Sequence, residues 1–400
     1  MSSKNILIVG GGNAGLSVAA QLIRKNKNLV IKIIDPSDKH YYQPAWTLVG
    51  AGIFDVKKTI HNQKDCIPKN AEWIKDEVTA FLPDQNKLIC KSGVSYQYDA
   101  LIVCPGIQLN WNKIKGLQET LGKNEVTSNY SINHTNYTWE LIKNFKGGTA
   151  VFTNPGCPIK CGGAPHKIMH LACDYWRKKG MLDKCDVHYV SGGGVLFGIK
   201  EYAKTLNEVV ANNNVKTHFN CETVEIDGSN KKLYYETKNE EGVAERKEMK
   251  FEICHTVPPQ SAPEFIKNSV LADAKNPYGY VEVDMHSLQH TRFSNIFSLG
   301  DCMNAPCSKT GAAIRKQAPV VVQNVLAYFN NEAIKAKYDG YSACPIPTQY
   351  GKLVLAEFDY SNEPKMTFPF DQAKPRWTMW ILKTKILPWL YWNKIIKGTA

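Results

Sequence analysis

Between an apolar run, Thr149 to Phe152, and a helix-like run, Pro165 to Lys178, lies Thr153-Asn154-Pro155-Gly156-Cys157-Pro158-Ile159-Lys160-Cys161-Gly162-Gly163-Ala164. A strand, a tight loop and a helix in this order is where a dinucleotide fold places its glycine-rich phosphate turn. This loop instead holds two prolines, a lysine and two cysteines, so thiol chemistry takes the place of a pyrophosphate seat. A cysteine thiolate is a nucleophile and a partner in disulfide exchange, and nearby cations favour it over the thiol. Lys160, His166 and Lys167 flank Cys161; they either lower its pKa and attract anions or are exposed charges at a helix end. Of the 12 cysteines, Cys161 and Cys344 are the candidates for chemistry, and Cys157 is left open between a structural and a redox role. Cys66, Cys90, Cys173, Cys185, Cys221 and Cys254 read as small buried residues in a reducing compartment. There is no C-x-x-C pair and no His/Cys zinc spacing, and no second pair answers Cys302 and Cys307, so no metal site is expected.

The elements that must position this loop begin at the N-terminus. Ile6-Leu7-Ile8-Val9 is a continuous apolar run suited to a buried parallel strand. Gly10, Gly12 and Gly15, with Asn13 and Ala14 among them, form G-x-G-x-x-G at the start of a helix of apolar period, Leu16 to Leu22. A second strand, Val30 to Ile34, ends in Asp35, twenty residues after Gly15. Gly10 permits the turn, Gly12 lets the backbone approach a pyrophosphate, and Gly15 lets helix pack on strand. Asp35 can accept from an adenosine ribose hydroxyl. Far downstream, Ile296 to Leu299 closes on Gly300-Asp301, 290 residues after Gly10. An apolar strand ending in Gly-Asp at this distance is the second fingerprint of FAD-binding, disulfide-reductase-like folds, where the aspartate accepts from a ribityl hydroxyl. Ser308-Lys309-Thr310-Gly311-Ala312-Ala313 then reads as a helix N-terminus capped by Ser308 or Thr310, its dipole facing the flavin. Lys309 either adds a positive charge there or stays solvated. Tyr98 to Val103 closes on Cys104-Pro105-Gly106, a turn placed where two-domain flavin reductases carry Ala-Thr-Gly. FAD is the expected cofactor, held by the Gly10–Gly15 turn, Asp35, Gly106, Gly300, Asp301, Lys309, Thr310 and Gly311.

The fold class that follows is α/β, with two Rossmann-like dinucleotide-binding domains in the FAD/NAD-linked reductase arrangement and a C-terminal amphipathic helical tail for membrane binding. Residues 1–115 form the first part of the FAD domain and 116–274 the second Rossmann-like domain with the cysteine-bearing turn. Residues 275–345 return to the FAD domain, and 346–400 are the aromatic-rich tail. Four hundred residues, 43% hydrophobic and 22% charged, suffice for two or three cores. The net charge of +12 suits anionic substrates, phosphate cofactors or acidic lipid. Nucleic acid is not expected, because zinc-finger spacing, RNA-recognition aromatics and a basic helix are all missing. The first strand starts near residue five, which is read as leaving no room for a signal or transit peptide.

Longer motifs narrow the reading. They are Tyr42-Gln43-Pro44 with Trp46 to Gly52, Pro158-Ile159-Lys160-Cys161 with Gly163-Ala164-Pro165, Gly300-Asp301-Cys302 and Ser308-Lys309-Thr310. Tyr338-Asp339-Gly340-Tyr341 with Cys344-Pro345, Ala356 to Tyr360 and Phe368-Pro369-Phe370-Asp371 continue the series. On these residues the chain resembles the sulfide:quinone oxidoreductases, in their mitochondrial-like subgroup, over essentially its whole length. The resemblance implies FAD contacted by Gln43 and by the backbone of Val78, and a redox disulfide between Cys161 and Cys344. It implies oxidation of hydrogen sulfide to sulfane sulfur; the sequence leaves open which cysteine carries the persulfide, and the chemistry of the pair favours Cys344 for it, with Cys161 as the flavin-side thiolate. Electrons pass to a quinone, ubiquinone or menaquinone, and the sulfur to sulfite, glutathione, sulfide or cyanide. Cys157 falls outside the family pattern. Cys104 is the nearest counterpart of a third redox cysteine found in bacterial relatives, although its turn position favours packing. Asp35 stands where a glutamate is frequent.

In the tail, Trp377, Trp380 and Ile381 share one helical face, and Trp389 to Lys397 repeats the pattern after Pro388. The uncharged run Ile386 to Asn393 is far short of the ~20 residues that span a bilayer. Tryptophans flanked by Lys383, Lys385, Lys394 and Lys397 fit helices lying in the interface, with a packed helix pair or a homodimer contact as the alternative. The expected location is a peripheral, monotopic site on the cytoplasmic side of a bacterial inner membrane, with the mitochondrial inner membrane as alternative. Because the flavin and cysteine motifs lie upstream, the tail is expected to be separable from flavin binding. Two other functions remain: an NADH:quinone oxidoreductase of the same fold, and a non-catalytic FAD-bound sulfane-sulfur carrier or redox sensor.

Overall fold

The computed structural model of the chain describes residues 3–239 and 241–400. β1 (Lys4–Val9), α1 (Asn13–Lys25), β2 (Leu29–Ile34), β3 (Ala71–Ile74) and β4 (Ala100–Val103) come first. β5 (Val126–Thr127), β6 (Gly148–Asn154), α2 (Ala164–Lys178), β7 (Cys185–Ser191), β8 (Lys216–His218) and β9 (Ile253–His255) follow. After them come β10 (Ile296–Ser298), α3 (Ile314–Phe329) and the hairpin of β11 (Ser342–Gln349) with β12 (Lys352–Phe358). Two five-stranded parallel sheets result, ordered β10-β4-β1-β2-β3 and β5-β9-β6-β7-β8. β10 pairs with β4, so the chain leaves the first sheet and returns to it across the whole of the second. The central strands are apolar along their length because both faces are covered: Ile6, Ile8, Leu101, Ile102 and Val103 are all fully buried.

Three features differ from the sequence reading. The helix after Ser308 begins only at Ile314; turns fill residues 311–313, where Thr310 Oγ1 accepts from Ala313 N at 3.3 Å. Among the described residues Ser308 supplies no cap, and its carbonyl accepts from Thr310 N instead. β11 crosses residue 345, so a boundary placed there cuts a paired strand in which Cys344 faces Ala356. The tail is not a pair of free amphipathic helices. A short helix, Trp377–Ile381, runs on through wide π turns, Leu382–Ile386 and Tyr391–Ile395, on either side of Leu387–Leu390. Such wide turns are uncommon in a regular helix and cluster at functional sites.

Candidate active site

A cavity of about 410 Å³ is bordered by Gly11 to Ala14, Cys104 to Gly106 and Gly300 with Asp301. These residues directly follow β1, β4 and β10, so the cavity lies off the carboxyl ends of the first sheet, where open α/β folds bind ligands. The three glycines differ in the space around them. Gly10 has φ +104°, and a Cβ there would stand 2.5 Å from Cys104 O; one on Gly15 would stand 1.9 Å from Gly10 O. One on Gly12 would meet nothing within 4 Å among the described residues, because it points into the cavity. No described side chain caps α1, so its first N–H groups are free to hold an anion. Asp35 closes one end, accepting from Gly11 N (2.6 Å) and Ser37 N (2.8 Å), while burial raises its carboxyl pKa. An open glycine, an uncapped helix start and a half-buried acid fit a dinucleotide.

Asn13, Ala14, Gln43, Gly106, Gly300, Asp301, Lys309, Thr310 and Gly311 also border the cavity. Gly10 and Gly15 lie beneath it as turn and helix contact. Val78 is not among the residues that border it: it is buried at the start of an antiparallel strand, Val78–Leu82, where it pairs with Cys90. Lys309 is not solvated. Its Nζ donates to Asp301 O (2.6 Å) and Met303 O (3.1 Å) and sits 3.6 Å from the Tyr280 ring centre. Burial lowers its pKa.

The cysteine site opens on the same cavity. Cys161 ends the loop after β6 and borders the cavity, whereas Cys344 is buried behind it on β11. Their sulfurs are 3.8 Å apart, in contact but not bonded. Cys161 N donates to Lys309 O at 2.7 Å, and the Tyr130 hydroxyl donates to Lys160 O at 3.1 Å, so the loop is fastened to both sides of the cavity. Cys161 itself has φ +54°, a left-handed conformation rarely held by a side-chain-bearing residue without compensating contacts. A Cβ on Gly163 would stand 2.7 Å from Cys344 Sγ, so glycine there admits the second sulfur.

Lys167 Nζ donates to Cys161 Sγ at 2.9 Å. The Cys161 pKa is pulled well down, first by hydrogen bonding from Cys344 and then by the Lys167 and Lys383 charges, against the opposing effect of burial. Cys344 moves the opposite way, raised by donating to Cys161 and by burial. Burial works against the Lys167 charge, yet the two sulfurs outweigh it and hold its pKa above the ordinary lysine value. Lys160 donates to Gln43 Oε1 at 2.7 Å, and burial lowers its pKa to about 8. His166 does not help the thiolate: burial drives its pKa well down, and its Nδ1 faces His170 Nε2 at 3.3 Å, so the ring is neutral. Cys157 Sγ accepts from Gln260 N at 3.3 Å, and burial raises its pKa. Burial also raises the Cys104 thiol, whose Sγ lies 3.7 Å from Gly10 O.

The tail supplies residues that sequence reasoning misplaced. Lys383, read as a lipid-headgroup anchor, is 5% exposed and borders the cavity, with a pKa lowered to about 8 by burial. Leu387, Tyr391 and Ile395 border it too. The tail therefore lines the same cavity as the glycine turn, a contact the sequence reading did not foresee. No local pattern distinguishes a buried lysine from an interfacial one in an amphipathic stretch, since both stand beside tryptophan. In the second sheet, Gly156 N donates to Glu222 Oε2 at 2.7 Å. A half-buried carboxylate occupies the place where a second dinucleotide would need its phosphate, which counts against an NADH-dependent reading.

A cofactor cavity facing a cysteine pair on the next strand–loop–helix unit defines a flavin-dependent disulfide oxidoreductase. Consistent with that class, the family model for pyridine nucleotide-disulphide oxidoreductases matches residues 4–143. The chain is 46% identical over 395 residues to the mitochondrial sulfide:quinone oxidoreductase of Dictyostelium discoideum, covering 98% of this chain and 86% of that protein. It is 38% identical over 393 residues to the Mus musculus mitochondrial protein of the same name, with the same coverage of 98% and 86%. The X-ray structure of the sulfide:quinone oxidoreductase from Aquifex aeolicus superposes with a TM-score of 0.83 over 99% of this chain and 92% of that one. At 20% identity that likeness shows the fold. The chain belongs to the sulfide:quinone oxidoreductase family. The relatives that establish this are mitochondrial by name, and the expectation of a bacterial inner membrane finds no support in them.

Proposed function

We propose that this enzyme oxidises hydrogen sulfide to sulfane sulfur through a Cys161–Cys344 disulfide, with FAD in the cavity and a membrane quinone as final acceptor. The observation that carries the reading is the asymmetry of the pair: Cys161 borders the cavity with Lys167 Nζ 2.9 Å from its sulfur, and Cys344 is buried behind it. Hydrosulfide attacks Cys344 Sγ of the disulfide, forming a new S–S bond on Cys344 and releasing Cys161 as a thiolate. Lys167 holds that negative charge, which makes Cys161 the better leaving group. An external nucleophile such as sulfite, glutathione or a second sulfide then takes the outer sulfur and leaves Cys344 as thiol. Closing the disulfide again releases two electrons and the Cys344 proton. The bound flavin supplies the two-electron acceptor for this closure and the donor to quinone. Gly12, the start of α1 and Asp35 hold the nucleotide half, while Asp301, Lys309 and Gln43 border the cavity nearer the cysteine loop.

Quinone enters from the tail side. Trp377, Ile386 and Trp389 are 63%, 44% and 53% exposed on the outside of a segment whose inside borders the cavity. Among the described residues no helix is long and apolar enough to cross a membrane. The exposed face with Lys385, Lys394 and Lys397 fits peripheral attachment to the mitochondrial inner membrane. The sulfur assignment is tested by adding one equivalent of sulfide to the oxidised enzyme without an acceptor, alkylating, and mapping the peptides by mass spectrometry. The extra sulfur is expected on the Cys344 peptide; finding it on Cys161 reverses the roles of the pair.

A further inference from the structure

The tail is fastened along the cavity at three points. Lys383 Nζ donates to Pro44 O (3.3 Å), the Tyr391 hydroxyl lies 2.6 Å from His40 Nε2, and Ser17 Oγ donates to Ile395 O (3.3 Å). His40 in turn places Nδ1 3.1 Å from Gly11 O, inside the phosphate turn. A carbonyl only accepts, so Nδ1 carries the His40 proton and Nε2 accepts from Tyr391. The ring is neutral, its pKa lowered to about 4 by burial. Trp392 stacks on His61 with ring centres 3.8 Å apart, and Gly398 lies against α1, where a Cβ would stand 2.8 Å from Gln21 N. The inner side of this one segment thus forms a cavity wall, and its outer side carries the exposed Trp377, Ile386 and Trp389.

We propose that the tail is a strap that retains the flavin, and that docking its outer face on a lipid surface tightens the hold. The inference rests on the flavin and membrane readings above and adds a coupling between them. For the cofactor to leave past Tyr391, Leu387 and Ile395, the strap has to lift, which breaks the Tyr391–His40–Gly11 chain. A lipid surface that holds the outer tryptophans opposes that lifting. Coupling of this kind is reciprocal, so bound flavin strengthens vesicle binding by the same factor.

The test uses the purified, flavin-loaded full chain mixed with excess of a trap protein that binds free FAD. Release is followed with and without vesicles of phosphatidylcholine and phosphatidylglycerol. Tyr391→Ala is expected to release flavin roughly tenfold faster than wild type, and Tyr391→Phe, which keeps the ring, a few-fold faster, as for a lost buried hydrogen bond. Vesicles are expected to slow wild-type release by about fivefold or more. The triple variant Trp377→Ser, Ile386→Ser, Trp389→Ser should release at the wild-type rate in buffer and ignore vesicles. Wild-type release rates in both Tyr391 variants overturn the strap, and a vesicle-independent wild type overturns the coupling. If Tyr391→Ala does not fold, Tyr391→Phe and the vesicle comparison decide. Wild-type protein that purifies without flavin counts against the cofactor assignment instead, which separates the two failures.

Discussion

Cys161 holds φ +54° with its amide on Lys309 O and its sulfur on Lys167, an arrangement that fixes one thiolate beside the cavity. Cys161→Ser and Cys344→Ser are each expected to keep bound flavin and lose at least about a hundredfold in sulfide-dependent quinone reduction, as removal of a covalent catalytic group does. Cys157→Ser should cost less than about threefold, since a serine oxygen can still accept from Gln260 N; the same rate assay checks all three. Lys167→Met removes a charge that lowers the Cys161 pKa. The wild-type thiolate persists as pH falls until the depressed pKa is reached, so iodoacetamide labelling of reduced wild type should stay fast into mildly acidic solution. In the lysine variant the labelling profile should move to higher pH; an unmoved profile would rule out the ion pair. Cys161 was legible because a strand, a loop and a helix frame it. The quiet roles of His166 and Lys383 were not, because burial sets them and burial is a property of the packed chain.

The strand–loop–helix elements act through the space they leave. Gly12→Ala is expected to leave the melting temperature of the flavin-free protein unchanged and weaken flavin binding, since the new methyl enters the cavity and touches no described residue. Gly15→Ala should instead lower stability by a few kcal/mol, about the cost of forcing backbones apart in a packed core, because its methyl would meet Gly10 O at 1.9 Å. Thermal melts and flavin titrations on the two variants separate these effects. Gly163→Ala keeps an ordinary backbone conformation, φ −84°, but crowds Cys344 Sγ; turnover should fall about tenfold or more with flavin content intact. Parallel strands and the first glycine turn were readable from apolar runs and from Asp35. The meeting of Cys161 and Cys344, 183 residues apart, was not readable from spacing and entered only through resemblance. It depends on the register of β11 with β12 and on its packing against α2, where tertiary contacts decide.

At the scale of the molecule, the two sheets and the tail border a cavity that meets the Cys161 thiol, backed by buried Cys344, on one side and carries an exposed aromatic face on another. Holding Trp377, Ile386 and Trp389 in water costs about 25 cal/mol per Å² of apolar surface, which a lipid interface relieves. Trp377→Ser with Trp389→Ser should therefore reduce flotation with liposomes severalfold while leaving sulfide-dependent reduction of a water-soluble quinone analogue near wild type. Equal flotation would place the binding face elsewhere. The amphipathic tail was legible as an outer face, but its inner face was hidden because Lys383 and Tyr391 find their partners hundreds of residues upstream. The central claim, that this cysteine pair carries electrons from sulfide toward quinone, is tested most directly by the flavin absorbance of the purified protein under anaerobic conditions, with sulfide added first and a quinone analogue second. Wild type is expected to bleach with sulfide and recover with the quinone, while Cys161→Ser and Cys344→Ser keep the oxidised spectrum. Wild-type flavin that stays oxidised in sulfide, or a serine variant that bleaches at the wild-type rate, would contradict it.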